Sequence, residues 1–520
     1  MNTTLRCLLA VSALASASAA QVQNILFTGR FPFVSSDAPS ERPGGAITRL
    51  EEFDLSYVLP LTGSPARTLL PATAMQCYLG DGNNDGVYTK FANWKTYFQA
   101  IGVGGIFVKA ADRGAVSWDK VYFTVRRNAA ATGSAAVGTL QLEVMTNNGT
   151  VPQTLVPGDY VRLLPNGNVE FFLTQAQFAI AVGAQSGSAT IGAGALLQAA
   201  NGDLYYSPVD GSHWVNGNQG GPQVCYDGAI CKIDAANITY DANGNVQALA
   251  PNSARLLINE ITSVPNMRAM VGNSGAVDRT GVLLAAPTYG YGKTVGLALD
   301  PNGGTFVPAL PDATGLFTPE PNLLFAGDGG GWGGTIFSTA NNGSIATING
   351  LLCGSNTVGV AANGSWLGVQ LDVPNFQPTL MGFTLCDTVV PQPLLIDQNG
   401  FGSLPLATTQ PTWDVDVFGS PQTLAFLFLS IGPTAAGGVP LSIPRGFVPL
   451  PFTTDSWDDV FLANGLFTMG TALTSAQGYG TVTIPNPNTG GLTGFNLMVQ
   501  GIALQASGFQ LSTPMLVQLQ

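Results

Sequence analysis

Residues 202–211, "GDLYYSPVDG", followed by 226–241, "YDGAICKIDAANITYD", decide the fold class of this chain. A short aromatic run, Leu204–Tyr206, breaks at Ser207-Pro208 and turns at Asp210-Gly211. A second run opens on Gly228, passes through Ile230–Ile233 and ends in a polar turn. Short runs rich in β-branched and aromatic side chains, bounded by Gly, Pro, Asn and Asp, read as strands joined by tight turns. The same grammar returns at 322–350, "NLLFAGDGGGWGGTIFSTANNGSIATING", and more weakly at 104–128, "GGIFVKAADRGAVSWDKVYFTVRRN". Aligning Gly228-Ala229-Ile230 with Gly334-Thr335-Ile336 gives a degenerate unit of about 40 to 60 residues, of the kind that stacks radially into a β-propeller. The competing arrangement is a stack of ordinary sandwich hairpins.

Asn-Gly pairs punctuate the same region at 148–149, 166–167, 201–202, 243–244, 302–303, 342–343 and 363–364. Both central positions of a type I′ turn need positive φ, which Asn and Gly tolerate, so each pair predicts a two-residue hairpin. Composition agrees. Charged residues make up 10% of the 520, against 65 Gly and 34 Pro. Long amphipathic helices need more Lys, Glu and Arg than this on their wet faces. The expectation is an all-β chain.

Near Pro374 the texture changes to Pro-rich segments and then to longer apolar runs such as "QTLAFLFLSIG" and "GFNLMVQGIALQ". The predicted organisation is a propeller-like domain over 21–375, a Pro-rich linker over 376–390 and a β-sandwich over 391–520. The ending, with Ile484-Pro485-Asn486, Leu492, Gly494, Leu497, Gln500-Gly501 and Leu511-Ser512, resembles the C-terminal domain of uncharacterised secreted proteins of planctomycete-like bacteria. The segments "YDGAICKI" and "NLLFAGDG" are similar to the propeller-like portions of such proteins. The resemblance covers most of the last domain and little else. Its motifs are structural and supply no catalytic residues.

The first twenty residues, "MNTTLRCLLAVSALASASAA", carry Arg6, then an apolar stretch, then small residues. This is the pattern of a secretory signal peptide, cleaved near Ala20. The longest later apolar run, Leu424–Ile431, is too short for a spanning helix. The expected location is therefore secreted, periplasmic or cell-surface. Lys and Arg number 19 against 31 Asp and Glu, a net charge of −12. No basic stripe is present for nucleic acid to bind. In an oxidising compartment the cysteines close in sequence pair, which predicts the disulfides Cys225–Cys231 and Cys353–Cys386 and leaves Cys77 odd.

Candidate chemistry is sparse. In "GDGNNDGVY" (80–88), Asp81, Asn83 and Asp85 before Gly86 match the first half of a calcium loop, but Ala92 stands where the bidentate Glu belongs. The same residues also favour a plain turn. Asp455, Asp458 and Asp459 form a second acidic group. The only histidine, His213, lies beside Trp214 in "DGSHWVNGNQGG". Glu260 and Asp328 follow apolar runs, where a propeller directs side chains toward its face. Trp332, Trp214 and Trp366 stand among Gly and Asn and are candidates to stack on a sugar ring. No nucleophile elbow, phosphate loop or carboxylate pair stands out.

Three function classes remain. The first is a non-catalytic secreted or surface protein binding a glycan or protein ligand. The second is a propeller enzyme, a sugar lyase or hydrolase or a lactonase-like, calcium-assisted hydrolase. The third is a structural envelope component.

Overall fold

The structure, a computed structural model, describes residues 24–29, 33–35, 49–50, 55–58, 67–70, 101–127, 142–146, 152–164, 169–183, 191–209, 212–226, 228–258, 294–327, 336–341, 344–348, 351–352, 369–371, 380–389, 395–398, 409–420, 422–431, 467–475, 479–488, 490–505, 508–512 and 515–519. The fold is all-β, as composition requires. Its sheets are antiparallel. Among the described residues one α-helix occurs, Gln175–Val182.

Four sheets share one plan. Ile101–Val108, Val121–Arg127, Tyr160–Leu163 and Val169–Leu173 follow one another across the first. The second runs Ala193–Gln198, Leu204–Pro208, Ile230–Ile233 and Arg255–Ile258, and the third runs Thr294–Leu299, Leu323–Gly327, Ile336–Ser338 and Ser344–Ile345. In the fourth, Leu380–Cys386 lies beside Asn24–Gly29, followed by Leu55–Val58 and Arg67–Leu70. The beginning and the later part of this region thus meet in one sheet. The segment read as a Pro-rich linker therefore contains a buried strand over Leu380–Cys386. Its apolar sequence finds six consecutive partners on Asn24–Thr28 and Gly29, which outweighs the flanking prolines.

The four sheets agree in detail. Each second strand carries an aromatic residue opposite an apolar residue of the first: Phe123 with Ile106, Tyr206 with Leu196, Phe325 with Leu297 and Phe27 with Phe383. All four aromatics are buried. Just beyond, the register slips in every sheet, at Val103/Ile106, Ala193/Ala195, Thr294/Gly296 and Thr28/Gly29. Such bulges sharpen the local twist. Each slip sits at a small residue of the first strand: Gly105, Ala195, Gly296 and Gly382. These recur roughly every 85 to 100 residues, a longer unit than the sequence alignment suggests. Ile230 and Ile336, matched in that alignment, each open the third strand of their sheets.

The first strands pack on one another in cyclic order. Ile101–Val108 meets Ala193–Gln198, which meets Thr294–Leu299, which meets Leu380–Cys386, which returns to Ile101–Val108. The small residues permit this approach. A Cβ at Gly382 would collide with the Gly104 carbonyl, and one at Gly105 with the Gly194 carbonyl. Neighbouring sheets share cores. One core joins Phe107, Tyr122 and Phe172 to Leu196 and Tyr206. Another joins Leu197 and Tyr205 to Leu297 and Phe325, and a third joins Val295 and Leu324 to Phe27 and Phe383. Strands with both faces covered read as continuous apolar runs, which explains "LYYSP".

The turns differ from expectation. Gly202, Gly244 and Gly303 have φ of 91°, 74° and 71°, but no preceding Asn has positive φ. Their N–H groups bond back to the carbonyls of Ala199, Asp241 and Asp300. These are type I turns followed by a left-handed Gly. At Gly202 and Gly244 they close hairpins one residue longer than type I′. The turn at Gly303 instead leads from Thr294–Leu299 to Thr305–Phe306, two strands that pair elsewhere. In this last turn Pro301 takes the first central position, where its fixed φ of about −65° suits a type I turn. The other four Asn-Gly pairs lie outside the described residues.

The C-terminal region holds two more sheets. Leu395–Gln398, Thr412–Phe418 and Tyr479–Pro485 form one, and Phe467–Leu473, Leu424–Ile431, Asn496–Gln505, Gly508–Leu511 and Met515–Gln518 form the other. One core takes Trp413, Val415 and Val417 from the first and Leu427, Val499 and Val517 from the second.

Candidate functional site

The hairpin Ser212–Val215/Gln223–Tyr226 leaves its parent sheet between the second strand, Leu204–Pro208, and the third, Ile230–Ile233. Val215 and Cys225 are buried, so the intervening side chain of Trp214 faces the other way, and it is 40% exposed. Three ties hold the hairpin. Gly217 N–H donates to the Ala254 carbonyl. The buried Asn218 amide donates to the Leu256 carbonyl at 3.1 Å and the Pro311 carbonyl at 3.0 Å, and accepts from Leu256 N–H at 2.7 Å. The helix Gln175–Val182 packs against Ser212–Val215. Its start is a capping box between Thr174 and Gln177, and its end is Gly183 in the left-handed region.

Around Trp214 the surface is amide-rich. Asn216 Nδ2 donates to Asn252 Oδ1 at 3.1 Å, and Asn252 N–H donates to the Ile180 carbonyl. Gln219 and Ile180 are exposed, and Gln223 Nε2 donates to the Gly221 carbonyl. Asp312, beside Gln219, is held down to about 2 by the Thr314 hydroxyl, the Leu316 N–H and the Thr318 hydroxyl. The result is an indole on a braced hairpin, beside amide donors and acceptors and the Asp312 carboxylate. Such a surface stacks on an apolar ring face and hydrogen-bonds its rim.

Two buried polar networks lie outside this surface. In one, Lys232 Nζ bridges Asp203 at 2.7 Å, Asp234 at 2.9 Å and Glu320 at 3.0 Å. Arg255 pairs with Asp234 and Glu320, and the Tyr205 hydroxyl donates to Glu320 at 2.7 Å. Burial lowers the Lys232 pKa, but bonds to the three acids outweigh it and leave the group raised. Burial raises Asp234, and Arg255 and Lys232 reverse that, leaving it lowered. Each charge is engaged by another, so the cluster ties Leu204–Pro208, Ile230–Ile233 and Arg255–Ile258 to Glu320.

In the other network, Lys109 Nζ donates to Asn245 Oδ1 at 2.6 Å and the Asn243 carbonyl at 2.8 Å, 5.0 Å from the centre of the Tyr122 ring. Its hydrogen-bond acceptors are neutral. Burial, then Arg162, pull its pKa to about 8. Glu170 accepts from Asn245 and Arg162, which outweigh its burial and keep it lowered. Sequence reading singled out none of these residues. Their signal was only a Lys, an Arg or a Glu set inside or beside a strand of an otherwise charge-poor chain.

Of the residues the sequence singled out, Trp214 and His213 stand together on the hairpin, His213 pairing in register with Cys225. Asp81, Asn83, Asp85, Glu260, Asp328, Trp332, Trp366, Cys77, Cys353, Asp455, Asp458, Asp459 and the first twenty residues lie outside the described residues. Among the described residues no group of three or more His, Cys, Asp or Glu is placed to hold a metal ion, and no helix is long and apolar enough to cross a membrane. Cys225, Cys231 and Cys386 are buried thiols.

No protein-family model and no curated protein matches the chain. Solved structures align only at a low level. The native conformation of Escherichia coli alpha-2-macroglobulin aligns at 11% identity and a TM-score of 0.17, over 96% of this chain and 38% of that one. The trypsin-activated form aligns at 12% and 0.15, over 96% and 39%. The extracellular domain of a putative hybrid two component system from B. thetaiotaomicron aligns at 9% and 0.13, over 91% and 75%. This chain spans under two fifths of the native alpha-2-macroglobulin chain, and likenesses at these scores carry no argument.

Proposed function

We propose that this is an exported, non-catalytic binding protein that takes an extracellular glycan at the Trp214 surface. The carrying observation is an exposed indole on a hairpin fixed by Asn218, Gly217 and the helix, beside the amides of Asn216, Asn252 and Gln219. A pre-braced aromatic platform binds with little ordering cost, which suits weak, stacking-driven sugar recognition. A four-bladed propeller followed by a sandwich is the architecture we read behind it. The cyclic packing of the four first strands, the repeated aromatic and bulge, and the pairing of Leu380–Cys386 with Asn24–Gly29 support the propeller. The core shared by the two C-terminal sheets supports the sandwich. The signal-like first twenty residues support export. A weak structural calcium site at Asp81, Asn83 and Asp85 belongs to the same proposal and rests on sequence spacing alone; melting with and without millimolar calcium tests it.

The binding test is a glycan array followed by fluorescence titration of hits against wild type and Trp214→Ala. Retained affinity in the variant, or an array without hits, overturns the reading.

A further inference from the structure

The strand Gln223–Tyr226 belongs to the Trp214 hairpin, and Ile230–Ile233 belongs to the sheet beneath it. Between them the chain runs only from Asp227 to Ala229. The two strands lie in different sheets, yet they bring Cys225 and Cys231 together. The Cys231 S–H donates to Cys225 Sγ at 3.2 Å, and both residues are fully buried. The backbone on each side is fixed: Cys225 pairs with His213, and Cys231 pairs with Tyr206 on one side and Leu256 on the other. The Gly228 carbonyl accepts from Thr294, which pins the connection.

We propose that Cys225 and Cys231 are a disulfide site that clamps the Trp214 hairpin to the sheet beneath. The thiols need to close by little more than an ångström to reach bonding distance, about 2.05 Å. The oxidant is a protein disulfide of the dithiol–disulfide exchange class. One cysteine thiolate attacks that disulfide and forms a mixed disulfide, releasing one oxidant thiolate. The second cysteine thiolate then displaces the other oxidant sulfur. Two S–H bonds are lost and one S–S bond forms. Two electrons reduce the oxidant to a dithiol, and two protons leave with them.

The timing follows from burial. Inside the core the Cys225 thiol is pushed well up by loss of water, so little thiolate is present once the protein has folded. The bond therefore forms on the nascent chain, before Tyr206 and Val215 close over it. This inference stands apart from glycan binding, because mass alone reads it.

The full chain is exported to an oxidising compartment, purified without reductant, denatured, alkylated and digested with trypsin. Both cysteines fall on the one tryptic peptide 163–232. The expected product is that peptide unalkylated and two hydrogens lighter, gaining two alkyl groups only after reduction. Alkylation of both cysteines before reduction overturns the proposal. So does a linkage of either cysteine to Cys77, Cys353 or Cys386. As a second measure, a Cys225→Ala/Cys231→Ala protein is expected to show backbone hydrogen exchange faster than the oxidised wild type across 212–226 more than across 193–208, and equal exchange in the two proteins overturns the clamp.

Discussion

Gly296 backs directly onto Phe383 of the neighbouring sheet. A Cβ at that position would overlap the aromatic ring and lie 2.7 Å from the Phe383 backbone nitrogen. The side chain that would collide is a core residue, and the other contact is backbone, so neither can step aside cheaply.

Gly296→Ala is therefore expected to cost about 1–3 kcal/mol through overpacking. Gly491→Ala, at a position open to 4 Å with no positive φ, is expected to stay within about 0.5 kcal/mol. Urea midpoints measure both. A Gly296→Ala protein as stable as wild type would remove the close packing of the first strands.

Glu320 is 2% exposed and receives Lys232, Arg255 and the Tyr205 hydroxyl. Glu320→Ala leaves two cations inside with one fewer anion. Removing one member of a buried ion pair costs about 3–5 kcal/mol. A double change, Glu320→Ala with Lys232→Met, is expected to recover part of that loss, since fewer unpaired charges remain. Chemical denaturation of the three variants gives the cycle. Strict additivity would mean that Lys232 and Glu320 do not act as a unit.

Lys109 makes stability depend on pH in a stated direction. Its folded pKa, about 8, lies below the ordinary 10.5, so between those values the unfolded chain holds a proton that the folded chain has released. Stability from this group rises as pH climbs through that window, and is least at lower pH, where burying the charge costs most. Lys109→Met is expected to flatten the difference in unfolding free energy between pH 7.5 and 10. An unchanged slope would show that Lys109 keeps an ordinary pKa.

Much of this architecture can be read in the sequence. Turn glycines and the aromatic second strands are visible as "NGD", "DLYYS" and "NLLFAG". The helix is not legible in its period, because "QAQFAIAV" has no polar face to mark it. Its marks are instead local, the Thr174–Gln177 box and Gly183. The close approach of the first strands is not legible, because its determinants, Gly105, Gly296 and Gly382, act by lacking a side chain. They are also separated by inserted hairpins of unequal length. The polar networks were hidden for a different reason: Lys232, Arg255 and Glu320 come together only through pairing between strands. Trp214 could be picked out because exposed aromatics beside Asn and Gly are a local signal, but the amides bracing it, Asn218 and Asn252, come from the folded arrangement.

Trp214 is 40% exposed on the hairpin, whereas Trp413 is fully buried between the two C-terminal sheets, against Val415, Leu427 and Val499. Truncating a buried Trp loses its transfer free energy and leaves a cavity, about 3–5 kcal/mol. The exposed indole has solvent in place of much of that packing, so Trp214→Ala is expected to cost about 1 kcal/mol or less while abolishing glycan binding. Denaturation and titration on the same preparations separate the two effects. A Trp214→Ala protein as destabilised as Trp413→Ala would make the hairpin indole a packing residue and withdraw it from the binding surface.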